Sequence, residues 1–199
     1  MSDYKAAIIG VSGGRARGHA EAYAHIDGGQ LVAVSSRNAE KVAEFGDEFG
    51  VSARYTDYRE MMARERPDLV HVNTPPDVRL EVFEAAAEAG VPALLVEKPL
   101  AMTLEEARRV QKAVDASGVH LMSGWWFKHS PVTRRLREVI ARPYFILFTC
   151  RLSSPTHRDP DDDLGPYGRN GILDAAGYNL HWIWHVMRSQ PVEVYAMGF

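Results

Sequence analysis

The chain has 199 residues, with 23 Lys and Arg against 26 Asp and Glu, a formal charge of −3. Its 46% hydrophobic and 25% charged residues are ordinary globular values, enough for a sizeable core in one or two domains. The slight acidity argues against a nucleic-acid partner, no apolar run nears the roughly 20 residues of a membrane span, Met1 to Ile9 does not read as a signal peptide, and the single Cys150 fits a reducing cytoplasm.

Short apolar runs alternate with amphipathic stretches over the first 122 residues. Ala6 to Ile9, Leu31 to Val34, Leu69 to Val72, Ala93 to Val96 and Val119 to Met122 read as buried strands, each short and bounded by polar or turn residues. Between them, a helix is expected from about His19 to Ile26. A second is expected over Ala39 to Phe49, where Val42, Phe45 and Phe49 recur at helical spacing. A third, Val78 to Ala89, stops at Gly90-Val91-Pro92. Thr103 precedes Glu106 by three residues, a capping box opening the helix of Leu104, Ala107, Val110 and Val114, which Gly118 closes. This alternation predicts an α/β fold with a mainly parallel sheet and helices on both faces. After residue 123 the texture changes. A helix is expected from about Pro131 to Arg142, a strand over Pro143 to Leu152, and a long loop over Ser153 to Gly171. A helix over Asp174 to Arg188 and a strand starting at Val192 complete the chain.

The first strand ends in Gly10-Val11-Ser12-Gly13-Gly14-Arg15-Ala16-Arg17-Gly18-His19. Glycines let a backbone turn tightly and approach a pyrophosphate, and a following helix N-terminus offers amides and partial positive charge. The fit to G-x-G-x-x-G is loose: Gly10, Gly13 and Ala16 leave one residue too many between the first two. A plain glycine-rich turn is the alternative, and position between first strand and first helix favours a dinucleotide site built from Gly10, Gly13, Gly14 and Arg15. At the end of the second strand an acidic residue would hold the ribose of NAD. Here Ser35-Ser36-Arg37 stands instead, and hydroxyls with a guanidinium suit a 2′-phosphate. Ser36 and Arg37 therefore favour NADP. Should Ser36 and Asn38 merely cap the next helix, with Arg37 solvated, NAD remains compatible.

Glu97-Lys98-Pro99 follows the strand Ala93 to Val96, at the sheet edge where ligands sit. With the glycine loop and Asn73-Thr74-Pro75-Pro76, it gives the chain a resemblance to the Gfo/Idh/MocA family of NAD(P)-dependent oxidoreductases. The resemblance covers the N-terminal domain almost completely and the second domain partly. It implies a Rossmann-type doubly wound parallel sheet over residues 1–122, followed by a partial α+β substrate or oligomerisation domain over 123–199. It also implies hydride transfer between nicotinamide and a hydroxyl or keto group of a sugar- or cyclitol-like substrate. Lys98 would contact the reacting hydroxyl and the nicotinamide ribose, with Glu97 orienting it. Asn73 and Pro75 would lie beside the nicotinamide, although a rigid strand-exit turn explains the prolines equally well.

The family's second signature is an Asp, a His four residues on, and often an acidic residue three later. Asp174, Tyr178 and His181 occupy these positions, on one helical face. Tyr178 in place of the His is expected to serve as acid/base, as in members resembling glucose-fructose oxidoreductase. Asp174 would orient or polarise, His181 competes as proton carrier, and Asn179 would reach substrate hydroxyls. Against this, Ile172, Leu173, Leu180, Ile183, Trp184 and Met187 make the helix apolar, and Tyr178 as a core residue is a serious alternative.

Trp125, Trp126, Trp182 and Trp184 read as packing rather than as a sugar-stacking platform. His157, Asp159, Asp161, Asp162 and Asp163 lack paired ligand spacing, so no metal site is expected. Cys150 reads as buried and inert. Family members normally continue into a larger antiparallel sheet, so the chain reads as C-terminally truncated, and a homo-oligomer is expected to cover the exposed edges. The rival to a polyol oxidoreductase is a non-catalytic nucleotide-binding module, or an inactive fragment of a longer oxidoreductase.

Overall fold

The computed structural model describes residues 4–124, 126–140, 171–188, 190, 192, 193 and 195. The chain divides into two compact units, Met1–Gly124 and Trp125–Phe199. In the first unit the elements run β1 (Tyr4–Ile9), α1 (Gly14–Ala22), β2 (Gly29–Ser35), α2 (Ala39–Phe49), β3 (Ala53–Tyr55), α3 (Tyr58–Glu65), β4 (Leu69–Val72), α4 (Arg79–Glu88), β5 (Ala93–Val96), α5 (Leu104–Ser117) and β6 (His120–Ser123).

The six strands form one parallel sheet in the order β3-β2-β1-β4-β5-β6. This is the doubly wound arrangement that the sequence alternation predicts. Parallel strands need crossover helices, and the helices bury both sheet faces. On one face Ala7, Ile9, Val70, Val72, Leu94 and Val96 pack against Met61 and Met62 of α3, Val82, Phe83 and Ala86 of α4, and Val110 of α5. On the other, Ile8 and Val34 pack against Ala16 and Ala20 of α1 and Val42 and Phe45 of α2. Ile8 and Val34 are wholly buried, each worth about 1.5–3 kcal/mol of burial.

Local signals set the boundaries. Asn38 Oδ1 accepts the Lys41 N–H at 3.0 Å and starts α2, which Gly50 ends at φ +67°. The capping box forms: Thr103 Oγ1 accepts the Glu106 N–H at 3.1 Å, and Glu106 Oε2 accepts the Thr103 N–H at 3.2 Å.

Three differences from the sequence expectation stand out. The first helix begins at Gly14 rather than near His19, because Ala16 and Ala20 pack on the sheet and carry the helical face back into the glycine loop. The strand β3 and helix α3 lie outside the expected set. The strand is a three-residue edge, too short for an apolar run. The helix buries only Met61 and Met62 behind its Asp57 cap.

In the second unit a short turn (Trp126–His129) leads to α6 (Pro131–Val139), and α7 spans Gly171–Met187. Arg137 Nη1 meets His185 Nε2 at 3.3 Å, and Arg188 Nη2 donates to the Arg137 carbonyl at 3.3 Å. The expected strand from Val192 is not formed at the described positions 192, 193 and 195. The expected strand over 143–152, Cys150, and the loop residues His157 to Asp163 lie outside the described residues.

Candidate functional site

The strand order reverses between β1 and β4: β2 and β3 lie to one side of β1, β4 to β6 to the other. Chains leave the two central strands in opposite directions and open a crevice at their carboxyl ends. Here the first unit brings together Gly10 to Arg15, Ser36 and Arg37, Asn73 to Pro75, and Glu97 and Lys98, at the ends of β1, β2, β4 and β5.

Gly10 continues the ladder, donating its N–H to the Ser35 carbonyl at 2.8 Å, then turns at φ +90°. A Cβ there would stand 3.0 Å from the Asn73 carbonyl carbon and oxygen and 3.1 Å from the Thr74 nitrogen. Only glycine lets β1 leave this close to β4. Gly13 is the N-cap of α1 and supplies no side-chain cap, and a Cβ on Gly13 or Gly14 would meet nothing within 4 Å. The first turn of α1 thus faces open space without a side-chain acceptor, the setting in which helix amides hold an anion.

Asn73 and Thr74 follow β4. The Asn73 carboxamide oxygen and nitrogen and the Thr74 hydroxyl are buried and meet no hydrogen-bond partner among the described residues. A buried carboxamide without partners is costly, so these atoms fit a polar ligand such as a nicotinamide nucleotide. Together with the open glycine turn, they are a donor and acceptor set suited to a dinucleotide. Ser36 is half-buried and Arg37 exposed. The cap of α2 is Asn38 rather than Ser36, which takes part of the capping alternative away from Ser36.

Glu97 is a buried carboxylate, 9% exposed. Its Oε1 lies 3.4 Å from His19 Nε2 and its Oε2 3.9 Å from Arg15 Nε, so the edge of β5 is tied to α1. Burial works to raise the carboxyl. The hydrogen bond to His19 and the charges of Arg15, His19 and Lys98 outweigh it, and the net shift is downward. Lys98 is half-buried, and the Lys98–Pro99 bond is cis.

Below Glu97, the His19 and His71 rings lie 4.6 Å apart, and Tyr23 Oη shares a 2.7 Å hydrogen bond with His71 Nε2. Burial pushes the Tyr23 phenol up to about 12. Burial, helped by the nearby His19, pushes His71 down from 6.5 to about 3. The unfolded chain protonates this imidazole near 6.5 and the folded chain resists until about 3. Stability from this group is therefore full above about pH 6.5 and falls as pH drops through that window. Between pH 7 and 5 the loss is about 2 kcal/mol for this one group. His71→Gln, which keeps a polar partner for Tyr23, should remove that part of the acid sensitivity in urea unfolding at the two pH values. Equal acid losses in the two proteins would refute it.

In the second unit, α7 carries Asp174, Tyr178 and His181 at offsets of four and three on one helix. The side chains of Asp174, Tyr178 and Asn179 lie outside the described residues. His181 is half-buried, 5.8 Å edge-on to Trp184 and 6.2 Å stacked on His185. Burial and then Lys128 lower its pKa. Trp184 is 47% exposed.

Four residues of the first unit's edge escape sequence reasoning: His19, Tyr23, His71 and Arg79. Their signals were present. His71 interrupts the apolar run of β4, His19 of α1 stands four positions before Tyr23 at that helix's C-cap, and Arg79 occupies the buried 79-82-83-86 stripe of α4.

The sequence profile of the Gfo/Idh/MocA oxidoreductase family, described as having an NAD-binding Rossmann fold, matches residues 4–125. The chain is 35% identical over 147 residues to the D-apiose dehydrogenase of Paraburkholderia graminis, covering 71% of this chain and 39% of that protein. It is 30% identical over 177 residues to the 1,5-anhydro-D-fructose reductase of Ensifer adhaerens, covering 86% and 53%. It therefore spans about half the length, or less, of these two relatives. The crystal structure of an Agrobacterium radiobacter oxidoreductase in complex with NAD+, L-tartaric acid and magnesium superposes with a TM-score of 0.66. That match has 25% identity and covers 70% of this chain and 40% of that one. A family profile matching well over half the residues, on a sheet with this strand order and a glycine turn at its switch point, establishes that the chain belongs to the Gfo/Idh/MocA oxidoreductase family.

Proposed function

We propose that this chain acts as an NAD(P)-dependent oxidoreductase, with the dinucleotide held by its first unit and substrate-side residues carried by its second. Its reaction interconverts a carbinol and a carbonyl on a sugar- or cyclitol-like substrate. The observation that carries this reading is the packing of Gly10 on Asn73, which puts the open glycine turn, the unpartnered Asn73 carboxamide and the Glu97-Lys98 pair on one sheet edge. The names of the relatives, a pentose dehydrogenase and an anhydrosugar reductase, support the substrate class.

When bound, the nicotinamide ring supplies hydride acceptance or donation. The rest falls to the chain. The first-turn amides of α1 at Gly14 and Arg15 hold the pyrophosphate, and Gly13 keeps the approach clear. Ser36 and Arg37 meet the adenosine ribose, and no acidic residue stands there to repel a 2′-phosphate, so NADP is favoured over NAD. Asn73 and Pro75 line the nicotinamide end. The carbinol proton must leave its oxygen as the carbon is oxidised, and the Lys98 ammonium stabilises the charge developing on that oxygen. Glu97, held by His19 and Arg15, fixes the turn from which Lys98 projects. Tyr178 carries the proton, with Asp174 orienting the substrate and His181 as the competing carrier.

Titration with NADPH and NADH, followed by nicotinamide fluorescence, tests the reading. NADPH should bind with micromolar affinity and more tightly than NADH. Addition of aldoses and cyclitols to the oxidised form should generate absorbance of the reduced ring. Absence of binding by either nucleotide would end the proposal.

A further inference from the structure

Arg79 begins α4 yet is 1% exposed, the largest fully buried side chain among the described residues. A guanidinium in such a place must be satisfied by acceptors, because an unpaired buried charge is strongly disfavoured. The acceptors here are main-chain carbonyls of two separate turns. Nε and Nη2 both donate to the Thr74 carbonyl, at 2.9 and 2.7 Å. Nη1 donates to the Glu97 carbonyl at 2.5 Å and also to the Pro99 carbonyl. One planar group therefore spans the exit of β4 and the exit of β5, gripping the second turn on both sides of Lys98. The planar fork suits this: its donors diverge in fixed directions, whereas a lysine ammonium is a single point.

We infer that Arg79 is a positioning residue, whose guanidinium clamps the Asn73–Pro75 and Glu97–Pro99 turns together and so fixes the backbone that presents Asn73 and Lys98. The inference rests on the reading that this edge holds the nicotinamide end of a dinucleotide. The neighbouring backbone bonds, Asn73 N–H to the Ile9 carbonyl and Glu97 N–H to the Val72 carbonyl, end where the strands end. Beyond that point the carbonyls of residues 74, 97 and 99 would face a buried region without donors if Arg79 were removed. The turns would then relax independently, and the two groups they carry would lose their fixed spacing. The pyrophosphate end, at the first-turn amides of α1, would be disturbed less, because Glu97 reaches α1 through the side chains of Arg15 and His19 and not through those amides.

The test compares the wild type with Arg79→Gln and Arg79→Lys. Hydrogen exchange without ligand should quicken by roughly tenfold to a hundredfold at the Asn73, Thr74, Glu97, Lys98 and Leu100 amides in Arg79→Gln, with β2 and α2 unchanged. NADH and NADPH should bind about tenfold more weakly, while ADP-ribose and its 2′-phosphate, which lack the nicotinamide, bind within about twofold of wild type. Arg79→Lys should show the same split, smaller in size. In the wild type itself, the Arg79 Nε–H should give an arginine side-chain NMR signal that persists in D2O long after exposed arginines have exchanged. Equal weakening of both ligand classes, exchange quickened throughout the sheet, full recovery by Lys, or prompt loss of the wild-type Nε–H signal would each overturn the clamp. A wild type that binds neither ligand class overturns the dinucleotide reading instead, and the exchange and NMR results then still decide whether Arg79 holds the turns.

Discussion

Gly10→Ala is expected to lower stability by about 2–6 kcal/mol and to weaken dinucleotide binding at least tenfold. Two costs add. At φ +90° an L side chain is strained by about 1–3 kcal/mol. The new methyl would also lie 3.0 Å from the Asn73 carbonyl carbon and oxygen and 3.1 Å from the Thr74 nitrogen. These are backbone atoms at the end of β4, unable to swing aside like a flexible side chain, so overpacking adds about 1–3 kcal/mol. Any relief displaces Asn73, the residue whose carboxamide is buried without a partner at the same edge. Gly13→Ala separates folding from binding. Its φ of −124° suits any residue, and a Cβ there meets nothing within 4 Å. The protein should keep its stability within about 0.5 kcal/mol, in line with an unconstrained surface change. It should nonetheless lose dinucleotide affinity, because the methyl enters the space a pyrophosphate would take. Urea unfolding and nucleotide titration of both variants check this. A Gly10→Ala protein as stable as wild type would contradict the close approach of β1 to β4. A Gly13→Ala protein that binds as tightly as wild type would move the phosphate site elsewhere.

What the sequence revealed follows the range of each signal. The long α2 and α5 carry their own caps, Asn38 and the Thr103–Glu106 box, and strongly one-sided apolar faces. A strand such as Tyr4–Ile9 buries four successive residues from Ala6, and so both faces, which makes its apolar run continuous and easy to see. The early start of α1 was hidden because glycine and arginine dominate residues 13–18, and only packing of Ala16 and Ala20 on the sheet makes that stretch helical. The strand β3 pairs with β2 over three residues at the sheet edge, where half-exposed Ala53 and Tyr55 leave no apolar signature. The site divides the same way. Gly10, Asn73, Glu97 and Lys98 were legible because each stands at the end of a recognisable strand. The supports beneath them were not. Glu97 is held from α1 by His19, 78 positions earlier, and the carbonyls of 74, 97 and 99 converge on Arg79 only after α4 has folded back on the sheet. Contacts between residues so far apart in sequence leave no local pattern.

Lys98→Ala is expected to reduce turnover by about 10²–10⁴-fold, the range for loss of a positioned acid/base or charge in the transition state. Nucleotide affinity should change by no more than about threefold, because the pyrophosphate and adenosine-ribose contacts proposed here lie on the turns after β1 and β2, and residue 98 adds a contact to the nicotinamide ribose alone. A fall in turnover with affinity retained is the mark of an interaction made in the transition state rather than in binding. Lys98→Arg then separates two ways the ammonium can act. Arginine keeps the positive charge but does not give up its proton. If residue 98 only stabilises the alkoxide-like oxygen, Lys98→Arg should recover a tenth or more of wild-type turnover, and the proton must travel through Tyr178 or His181 on α7. In that case Tyr178→Phe should be as damaging as Lys98→Ala, and His181→Gln should be mild. If Lys98 itself passes the proton, Lys98→Arg should be as inactive as Lys98→Ala, and Tyr178→Phe should retain most of its activity. The arrangement of this edge favours the first outcome. Glu97 is already paired with His19 and Arg15 and stays ionised, so the turn carries a fixed negative charge beside Lys98. A fixed carboxylate next to residue 98 orients its ammonium electrostatically, which suits that group to stabilise developing negative charge. Equal and near-complete activity in all four variants would remove residue 98 from the chemistry altogether.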